Sequence, residues 1–378
     1  MDFTKGYTAS FYAAFVDPDS WLDGDRLDIV SGSINRTATG LRSTADIVVR
    51  EYDEPTDRYI RVYMDCEQEG DKAHVPLFTG IVSTPGENVQ GPVRDVQLQA
   101  YSPLKTAEDI KLQLGYYVPA GTNGAEAIRK LLKSQKAPVE INGIAPALEE
   151  HIIAEQNENC VTFTEKILEA INWKLQIDGD GSIRLSPKEE DPEEVLTISA
   201  DENDIMEQNP QRGRDWFNCP NVLRVTSGEQ TWTARDDDPN SELSTVARGR
   251  EVQAVEDNVT LADDEGLIQY ANRRLKELQQ ITETASYTRR FMPDLNIGDA
   301  IRISYTQLEG KYVIEGQTIS LTPGGQTSEN VSRIAEPEKI TTIGYGTGWG
   351  LIKLPDGYYF VFPDGNRVLA PYIVTIIS

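Results

Sequence analysis

Residues 59–66 read YIRVYMDC, a stretch in which apolar and polar side chains alternate. Ile60, Val62 and Met64 fall on one side of an extended backbone, and the residues between them are polar or charged. This period of two predicts a β-strand with one buried face. The stretch VRDVQLQAY at residues 93–101 repeats the pattern, so the alternation indicates a β fold for this part of the chain.

The first hundred residues contain several such extended runs, separated by turn sequences. The runs cover residues 7–16, 27–35, 45–51, 59–66, 77–83 and 93–101. Short strands at this spacing are typical of antiparallel sandwiches and small barrels. We therefore predict a first β-domain, a barrel or sandwich, over residues 1–102.

The hydrophobic period changes in the next part of the chain, where we predict an α+β module over residues 103–199. In residues 126–133, Ile128, Leu131 and Leu132 lie on one side of a helix that follows a cap-rich turn.

A second helix of this module is predicted to begin near Thr162, because Thr162 and Glu165 have the spacing of a capping box. A hairpin follows, with strands at 174–177 and 182–185 joined by the turn DGDG at 178–181.

Extended runs return in a third region, residues 200–336. They cover residues 221–226, 286–291, 300–305 and 311–321. A long amphipathic helix is predicted at 264–279, with acidic residues at its start and basic residues later, as the helix dipole favours. We predict a second β-domain that encloses this helix, and an α+β, mainly β fold for the whole chain.

Residues 337–378 differ in composition, being rich in glycine, tyrosine, phenylalanine and β-branched residues. Two Pro-Asp-Gly turns, at 355–357 and 363–365, predict a small C-terminal β-meander. Its aromatic side chains fit two roles that the sequence leaves open, docking to a neighbouring protein or filling the meander's own core. These side chains are Tyr345, Trp349, Tyr358, Tyr359 and Phe360.

The charge balance is strongly acidic, with 61 acidic and 36 basic side chains and a formal net charge of -25. A phosphate backbone is repelled by such a surface, so tight nucleic-acid binding is not expected. The same charge suits either plain solubility or a surface past which DNA moves without adhering.

The cysteines give no sign of a disulfide framework or a zinc site. Cys66, Cys160 and Cys219 are odd in number, widely separated and outside any CxxC pair, so we predict three buried, free thiols in a reducing cytosol. The N-terminal residues lack a secretion signal, and membrane insertion is not expected, because no apolar run is long enough to span a bilayer.

The chain has only two histidines, so any histidine-based catalytic or metal site must use them. His74 and His151 lie in neither a nucleophile motif nor a zincin motif, and a structural role is predicted for each. The glycine-rich segment at 121–124 lacks the lysine of a phosphate-binding loop, so a helix-capping turn is the better interpretation.

Acidic clusters are the remaining candidates for chemistry. Asp178, Asp180, Ser182 and Glu189 have calcium-loop spacing, but the sixth position is not glycine, and a hairpin turn is predicted instead. The run DDD at 236–238 is interpreted as a solvated loop. A glycosidase pair of carboxylates cannot be chosen by inspection among 61 acids. We therefore predict no enzyme, no catalytic residue, no metal site and no cofactor.

Three segments, in this order, resemble a known family. They are VPLFTGIV at 75–82, YVPAGT at 117–122 with WKLQID at 173–178, and the stretch from residue 236 to PDLNIGD at 293–299. The series resembles the baseplate hub family of long-tailed phages and phage-like prophage elements, which includes the late control protein D type. The resemblance covers roughly residues 28–336.

That resemblance implies a homotrimer in which two tube-like β-domains per subunit form a ring of six. Such a ring joins a sixfold tail tube, or a distal tail protein, to a threefold spike or tip protein. It leaves a channel through which DNA passes without specific binding. The expected location is the virion tail, assembled in the host bacterial cytoplasm.

Two other classes of function remain open from the sequence. One is a tail-tip cell-wall hydrolase, which requires an acid or metal site. The other is a carbohydrate-binding β-protein, with aromatic side chains of the C-terminal meander stacking on sugars. The meander is also the part in which this chain departs from the simplest members of the hub family.

Overall fold

The computed structural model describes residues 1–50, 52, 57–83, 85–90, 93–189, 191–202, 205–207, 210–214, 217–228, 230–257, 259, 266–279, 283–305 and 308–333. The chain divides into two compact units, Met1–Ile334 and Ala335–Ser378. The predicted C-terminal meander, including its aromatic side chains, lies outside the described residues.

The first region is a closed antiparallel barrel. Its strands are β1 (Thr8–Val16), β2 (Asp23–Thr37), β3 (Ser43–Arg50), β4 (Tyr59–Gln68), β5 (Asp71–Val82), β6 (Gly86–Gln90) and β7 (Val93–Tyr101). Hydrogen bonding runs in the order β1-β4-β5-β7-β3-β2, and β2 pairs again with β1. Ile60, Val62 and Met64 are fully buried inside it, which confirms the strand in residues 59–66 and its inward face. The prediction of a single buried face was wrong, because Tyr59, Arg61 and Tyr63 on the other face are buried as well.

The middle region is α+β, as predicted. It contains α1 (Lys105–Glu108), β8 (Tyr117–Val118), α2 (Gly124–Leu131) with a 3-10 turn (Leu132–Ser134), β9 (Val139–Ile141), β10 (Ile152–Ile153), α3 (Cys160–Ala170), β11 (Trp173–Ile177) and β12 (Ile183–Pro187). The side chain of Asn123 accepts a hydrogen bond from the backbone N–H of Glu126, which confirms the capping turn before α2.

The predicted N-cap of α3, Thr162, was wrong by three residues. Asn159 is the N-cap, and its side chain accepts a hydrogen bond from the backbone N–H of Thr162. Asparagine is at least as good a cap as threonine, so the earlier polar residue begins the helix and Thr162 becomes part of its first turn.

The third region contains β13 (Glu194–Ser199), β14 (Gln211–Arg214), β15 (Val222–Ser227), β16 (Gln230–Arg235), α4 (Thr245–Arg248), β17 (Gln253–Glu256), α5 (Leu267–Leu278), β18 (Glu283–Arg290), β19 (Ala300–Tyr305), β20 (Leu308–Ser320) and β21 (Gln326–Arg333). Six of these strands form a mainly antiparallel sheet in the order β13-β19-β20-β21-β18-β14. The long helix α5 instead packs on the small sheet β16-β15-β17, where Leu223, Ala271 and Leu275 share a separate core.

The two β regions are joined into one continuous sheet. Strand β2 pairs with the second half of β20, from Ser33 opposite Ser320 to Thr37 opposite Gly316. Their inward side chains share one core, in which Ile34 and Leu98 of the barrel belong to the same cluster as Ile319. The α+β, mainly β class is confirmed, whereas the domain boundaries at 102, 199 and 336 stay predictions.

Candidate assembly surfaces

The turn between β11 and β12 docks on the barrel. Thr79 Oγ1 donates a hydrogen bond to the carbonyl oxygen of Gly179 at 2.9 Å. Trp21 Nε1 and Arg61 Nη2 donate to the carbonyl oxygen of Asp180 at 2.9 and 3.1 Å. Thr79 and Arg61 are buried, so these backbone bonds are protected from water and fix the middle module to the barrel.

Glycine at position 179 is required by this close approach. A Cβ on Gly179 would lie 1.9 Å from the carbonyl oxygen of Pro76, a backbone atom that cannot move aside alone. The neighbouring carboxylates serve the turn itself, since Asp178 pairs with Arg184, and Asp180 Oδ1 accepts from the backbone N–H of Ser182. Asp178 and Asp180, the first two residues with calcium-loop spacing, are therefore held by protein donors, as a hairpin turn requires.

A buried ion pair lies in the second β region, and sequence reasoning missed it. Arg289 donates from Nε to Glu329 Oε2 at 2.8 Å and from Nη2 to Oε1 at 2.5 Å, and neither side chain is accessible to water. Tyr287 and Gln317 also donate to Glu329, each at 2.8 Å. Burial raises the pKa of Tyr287 well above its usual value. Burial opposes the charge on Arg289, but the facing carboxylate of Glu329 still raises the pKa of Arg289.

A cleft of about 960 Å³ separates the β11–β12 hairpin from the second β region. Gln176 Nε2 crosses it and donates to the carbonyl oxygen of Ile297 at 2.7 Å. Burial raises the pKa values of Asp178 and Asp299, which line opposite sides. The lining carries charges of both signs, so the cleft is a polar seam between two parts of the chain.

His74 has partners that its sequence position did not suggest. Its Nδ1 lies 2.6 Å from Asp65 Oδ1, its Nε2 lies 3.4 Å from the hydroxyl of Tyr12, and its ring stacks on Tyr63 at 4.3 Å. The imidazole of His74 and the carboxylate of Asp65 are each about half exposed on a strand face, so water reaches both groups, whereas Tyr63 beneath the ring is buried. This openness favours a surface role over catalysis. His151 is exposed.

The other singled-out residues are part of the fold. Asp236 Oδ2 accepts from Ser241 Oγ at 2.6 Å and from Gln279 Nε2 at 3.0 Å, so the acidic loop is an ordered structural turn. The three cysteines are free and buried, as predicted. Among the residues that the structure describes, no group of three or more potential ligands is placed to hold a metal ion. None of the described helices has both the length and the hydropathy to cross a membrane.

An exposed apolar ribbon lies on the middle module. Residues 110–118 run antiparallel to residues 152–160, with Tyr117 paired with Ile153 and Lys111 bridged to Asn159. Large apolar side chains of this ribbon face solvent at Ile110, Leu114, Tyr116, Tyr117 and Ile153. Leu114 is 80% exposed. Clusters of this kind on a soluble protein are typical of protein–protein contact surfaces.

The outward side of the joined sheet is rich in hydroxyl and amide side chains and also carries charged residues. Residues directly opposite each other on paired strands share a face, which links β7, β3, β2, β20, β21 and β18 into one outward surface. We call this surface the hydroxyl–amide face. Its polar, uncharged positions include Gln99, Thr44, Ser33, Asn35, Thr318, Ser320, Ser328, Asn330, Thr288 and Ser286, and the same registers also place Asp46, Arg50, Asp95, Arg290, Val48 and Tyr101 on it.

The fold that carries these surfaces is shared with phage tail proteins. No family model matches the chain, and no curated protein matches it by sequence. Solved structures do match it, and the fold-level likeness agrees with the resemblance to tail hub proteins.

Three solved structures illustrate the likeness. The prophage MuSo2 43 kDa tail protein from Shewanella oneidensis matches with a TM-score of 0.62 at 13% identity, over 86% of this chain and 96% of its own. A tail protein from Neisseria meningitidis MC58 matches with a TM-score of 0.62 at 15% identity, over 87% and 97%. The prophage tail protein gp18 from Listeria monocytogenes matches with a TM-score of 0.50 at 14% identity, over 86% and 94%.

Proposed function

We propose that this chain is a structural hub of a phage or phage-like tail, which joins the tail tube or a distal tail protein to the spike or tip. The observation that carries the proposal is the pairing of β2 with β20, which fuses two β regions into one sheet with one core. Matches to prophage tail proteins over nearly their whole length support the same reading.

A fused pair of β regions suits an adaptor between threefold and sixfold partners. Three copies of a chain with two such β regions present six β regions in total. Within each copy, the β2–β20 ladder holds the two β regions in fixed register. We therefore propose a homotrimeric ring with a central channel for DNA, located in the virion tail and assembled in the bacterial cytoplasm.

We assign the apolar ribbon to the contact between copies. Each chain carries a net charge of -25, so two copies repel each other wherever their acidic surfaces meet. Leu114, Tyr117 and Ile153 offer a surface on which the approach of a second copy removes apolar area from water.

We assign a non-enzymatic role to the chain. The His74 cluster is open to water on a strand face, and the acidic loops are occupied by their own hydrogen bonds. For residues 337–378, which lie outside the described residues, we propose docking to the tip-side partner through Tyr345, Trp349, Tyr358, Tyr359 and Phe360.

The direct test is the mass of the purified full chain in solution, followed by electron microscopy down the symmetry axis. We expect a trimer and a ring with a central opening. A monomer at micromolar concentration that forms no ring when tube protein is added would overturn the hub proposal. Peptidoglycan cleavage in a zymogram would instead favour the hydrolase alternative, and glycan binding lost on Trp349→Ala would favour the carbohydrate-binding one.

The docking role of the C-terminal residues has its own test. A chain truncated after Pro337 is expected to trimerise normally and to lose the tip-side partner in a pull-down. Unchanged capture of that partner would show that the aromatic side chains serve the meander's own core.

A further inference from the structure

We propose that a basic patch on the middle module binds an acidic hairpin of the barrel in a neighbouring copy of this chain. The basic patch lies at the end of α2 and just after it, and consists of Arg129, Lys130, Lys133 and Lys136. The inference rests on the proposed ring of copies. It adds which charged surfaces meet and in which direction the copies join.

The basic patch is unusual in a chain this acidic. Residues 129–136 read RKLLKSQK, with four basic and no acidic side chains, whereas the whole chain has 61 acidic and 36 basic side chains. All four basic side chains are exposed, while Leu131 and Leu132 between them are buried in the core of the middle module. The helix therefore turns its apolar side inward and presents its positive charge to solvent.

Two of the four basic side chains have no ion-pair partner within the chain. Arg129 pairs with Glu126 at 2.7 Å, and Lys136 pairs with Asp19 of the barrel at 2.9 Å. Among the residues that the structure describes, none forms an ion pair with Lys130 or Lys133. These two ammonium groups are therefore available to an acidic surface of another molecule.

A matching acidic patch lies on the hairpin between β4 and β5, where residues 65–72 read DCEQEGDK. Its four carboxylates are at least partly exposed and belong to Asp65, Glu67, Glu69 and Asp71. Cys66 and Gln68, which alternate with them, are buried, so the strand directs its carboxylates outward. Lys72 is the only basic residue of this stretch, and its amine lies 3.7 Å from Glu67. The acidic hairpin thus carries four carboxylates against one ammonium group.

The basic patch and the acidic hairpin lie at opposite ends of the barrel. Lys136 contacts Asp19, which lies just after the end of β1 at Val16. The first residue of β1, Thr8, is paired with Glu67 of the acidic hairpin. The nine residues of β1 separate the two ends by roughly 26 Å, at about 3.3 Å per residue. The Debye length is about 8 Å at physiological ionic strength, so the two patches do not neutralise each other within one copy.

Two different patches that match each other make a head-to-tail contact. In such a contact each copy binds a different surface of the next copy, and the chain of copies closes into a ring when the rotation per copy permits. Each contact between opposite charges also lowers the repulsion between chains that carry a net charge of -25. The apolar ribbon removes apolar area from water on association, and the charged patches set the direction in which the copies join.

The test reverses the charge of one patch and then restores the match from the other side. The reversed variant, Lys130→Glu/Lys133→Glu, places two carboxylates against the acidic hairpin of the next copy. The restored variant adds Glu67→Lys/Glu69→Lys to the same chain, so that opposite charges face each other again. Thermal midpoints of the full-chain variants are measured first, to establish that each is folded.

The matched control is Lys188→Glu/Lys276→Glu, which makes the same change of charge at two exposed lysines outside both patches. Lys276 lies in the last turn of α5, as Lys130 lies in the last turn of α2, so the two variants share the effect of an acidic residue at a helix end. The control therefore separates a local contact from the general effect of added negative charge.

The measurement is the dissociation constant of self-association, from mass in solution against protein concentration. We expect it to rise at least about tenfold in the reversed variant and to return to within about threefold of the wild-type value in the restored variant, because facing like charges are costly. Added salt should raise the wild-type dissociation constant, since it screens exposed charges. Unchanged self-association of the reversed variant would overturn the inference while leaving the hub proposal intact. An equal loss in the control, or no recovery in the restored variant, would do the same.

Two further outcomes are also decisive. A wild-type chain that stays monomeric at every salt concentration would overturn the hub proposal together with this contact. Wild-type self-association of the reversed variant, combined with loss of duplex DNA in a filter-binding assay, would identify the basic patch as a nucleic-acid surface and overturn the contact between copies.

Discussion

The Arg289–Glu329 pair gives the sharpest test of the fold, because both side chains are fully buried between β18, β20 and β21. Replacing Arg289 by Met removes two charge-assisted hydrogen bonds and leaves Glu329 with neutral donors only, from Tyr287 and Gln317. Breaking a buried pair by removing one partner typically costs about 3–5 kcal/mol, since a charge stays buried without compensation.

The measurement is the thermal unfolding midpoint, detected by near-ultraviolet circular dichroism. The urea unfolding midpoint is a second measurement. For the unit Met1–Ile334, an unfolding entropy of about 2.1 cal/mol/K per residue converts this loss into a shift on the order of 4–7 °C. The matched control is Arg302→Met in the same β region, whose pair with Glu194 is partly exposed and is worth at most about 1 kcal/mol.

A double variant, Arg289→Met/Glu329→Gln, separates charge from packing. We expect it to recover part of the loss, because the neutral amide no longer needs a cation and its oxygen still accepts from Tyr287. The reasoning is refuted if Arg289→Met costs no more than Arg302→Met, or if the double variant costs the sum of the two single changes.

Three further predictions follow from the same contacts. Gly179→Ala should lower the thermal midpoint and increase proteolysis between the barrel and the middle module, because its Cβ would meet the Pro76 carbonyl oxygen at 1.9 Å. The control for the loss of glycine itself is Gly6→Ala, at a position where a Cβ meets nothing and φ lies outside the left-handed region. Burial raises the pKa values of Tyr7 and Tyr312 to about 12 from an ordinary 10.0. In an ultraviolet absorbance titration, these two phenols should therefore ionise at a higher pH than ordinary tyrosines. The free energy of unfolding should fall as pH rises above 10, because the unfolded chain releases these protons first. Ionisation of both tyrosines near pH 10 in the folded protein would contradict this prediction. Leu114→Ser/Tyr117→Ser should weaken self-association by mass measurement without lowering the thermal midpoint, whereas Val195→Ser, another exposed apolar position, should leave association unchanged.

The sequence predicted the strands whose two faces differ most in polarity. In residues 93–101, alternation alone identified both the strand and its buried side, whereas in residues 59–66 it identified the strand but not that Arg61 and Tyr63 on the opposite face are also buried. It also predicted β19 at its observed bounds, 300–305. Strand β6 was not predicted, because a five-residue edge strand that pairs with β7 alone has no strong alternation to mark it.

The join between the β regions was beyond sequence reasoning. The β2–β20 ladder links residues nearly three hundred positions apart, and its outward side chains look like ordinary loop or surface residues when read singly. The buried pair was missed for a related reason. Nothing local distinguishes Arg289 from the half-buried Arg290, since only the placement of Glu329 on a later strand makes a buried guanidinium stable.

The position of the join explains why one fused sheet suits a load-bearing adaptor. Strand β20 is long enough to pair with β19 through its first half and with β2 through its second, while β21 lies along its other edge. Force applied to the barrel therefore reaches the second β region through backbone hydrogen bonds and a shared core. A flexible linker would let the two regions tilt independently and would lose the register that a six-part ring requires. The Arg289–Glu329 pair lies behind this ladder, on the inward side, so it stiffens the sheet without placing a charge on its hydroxyl–amide face.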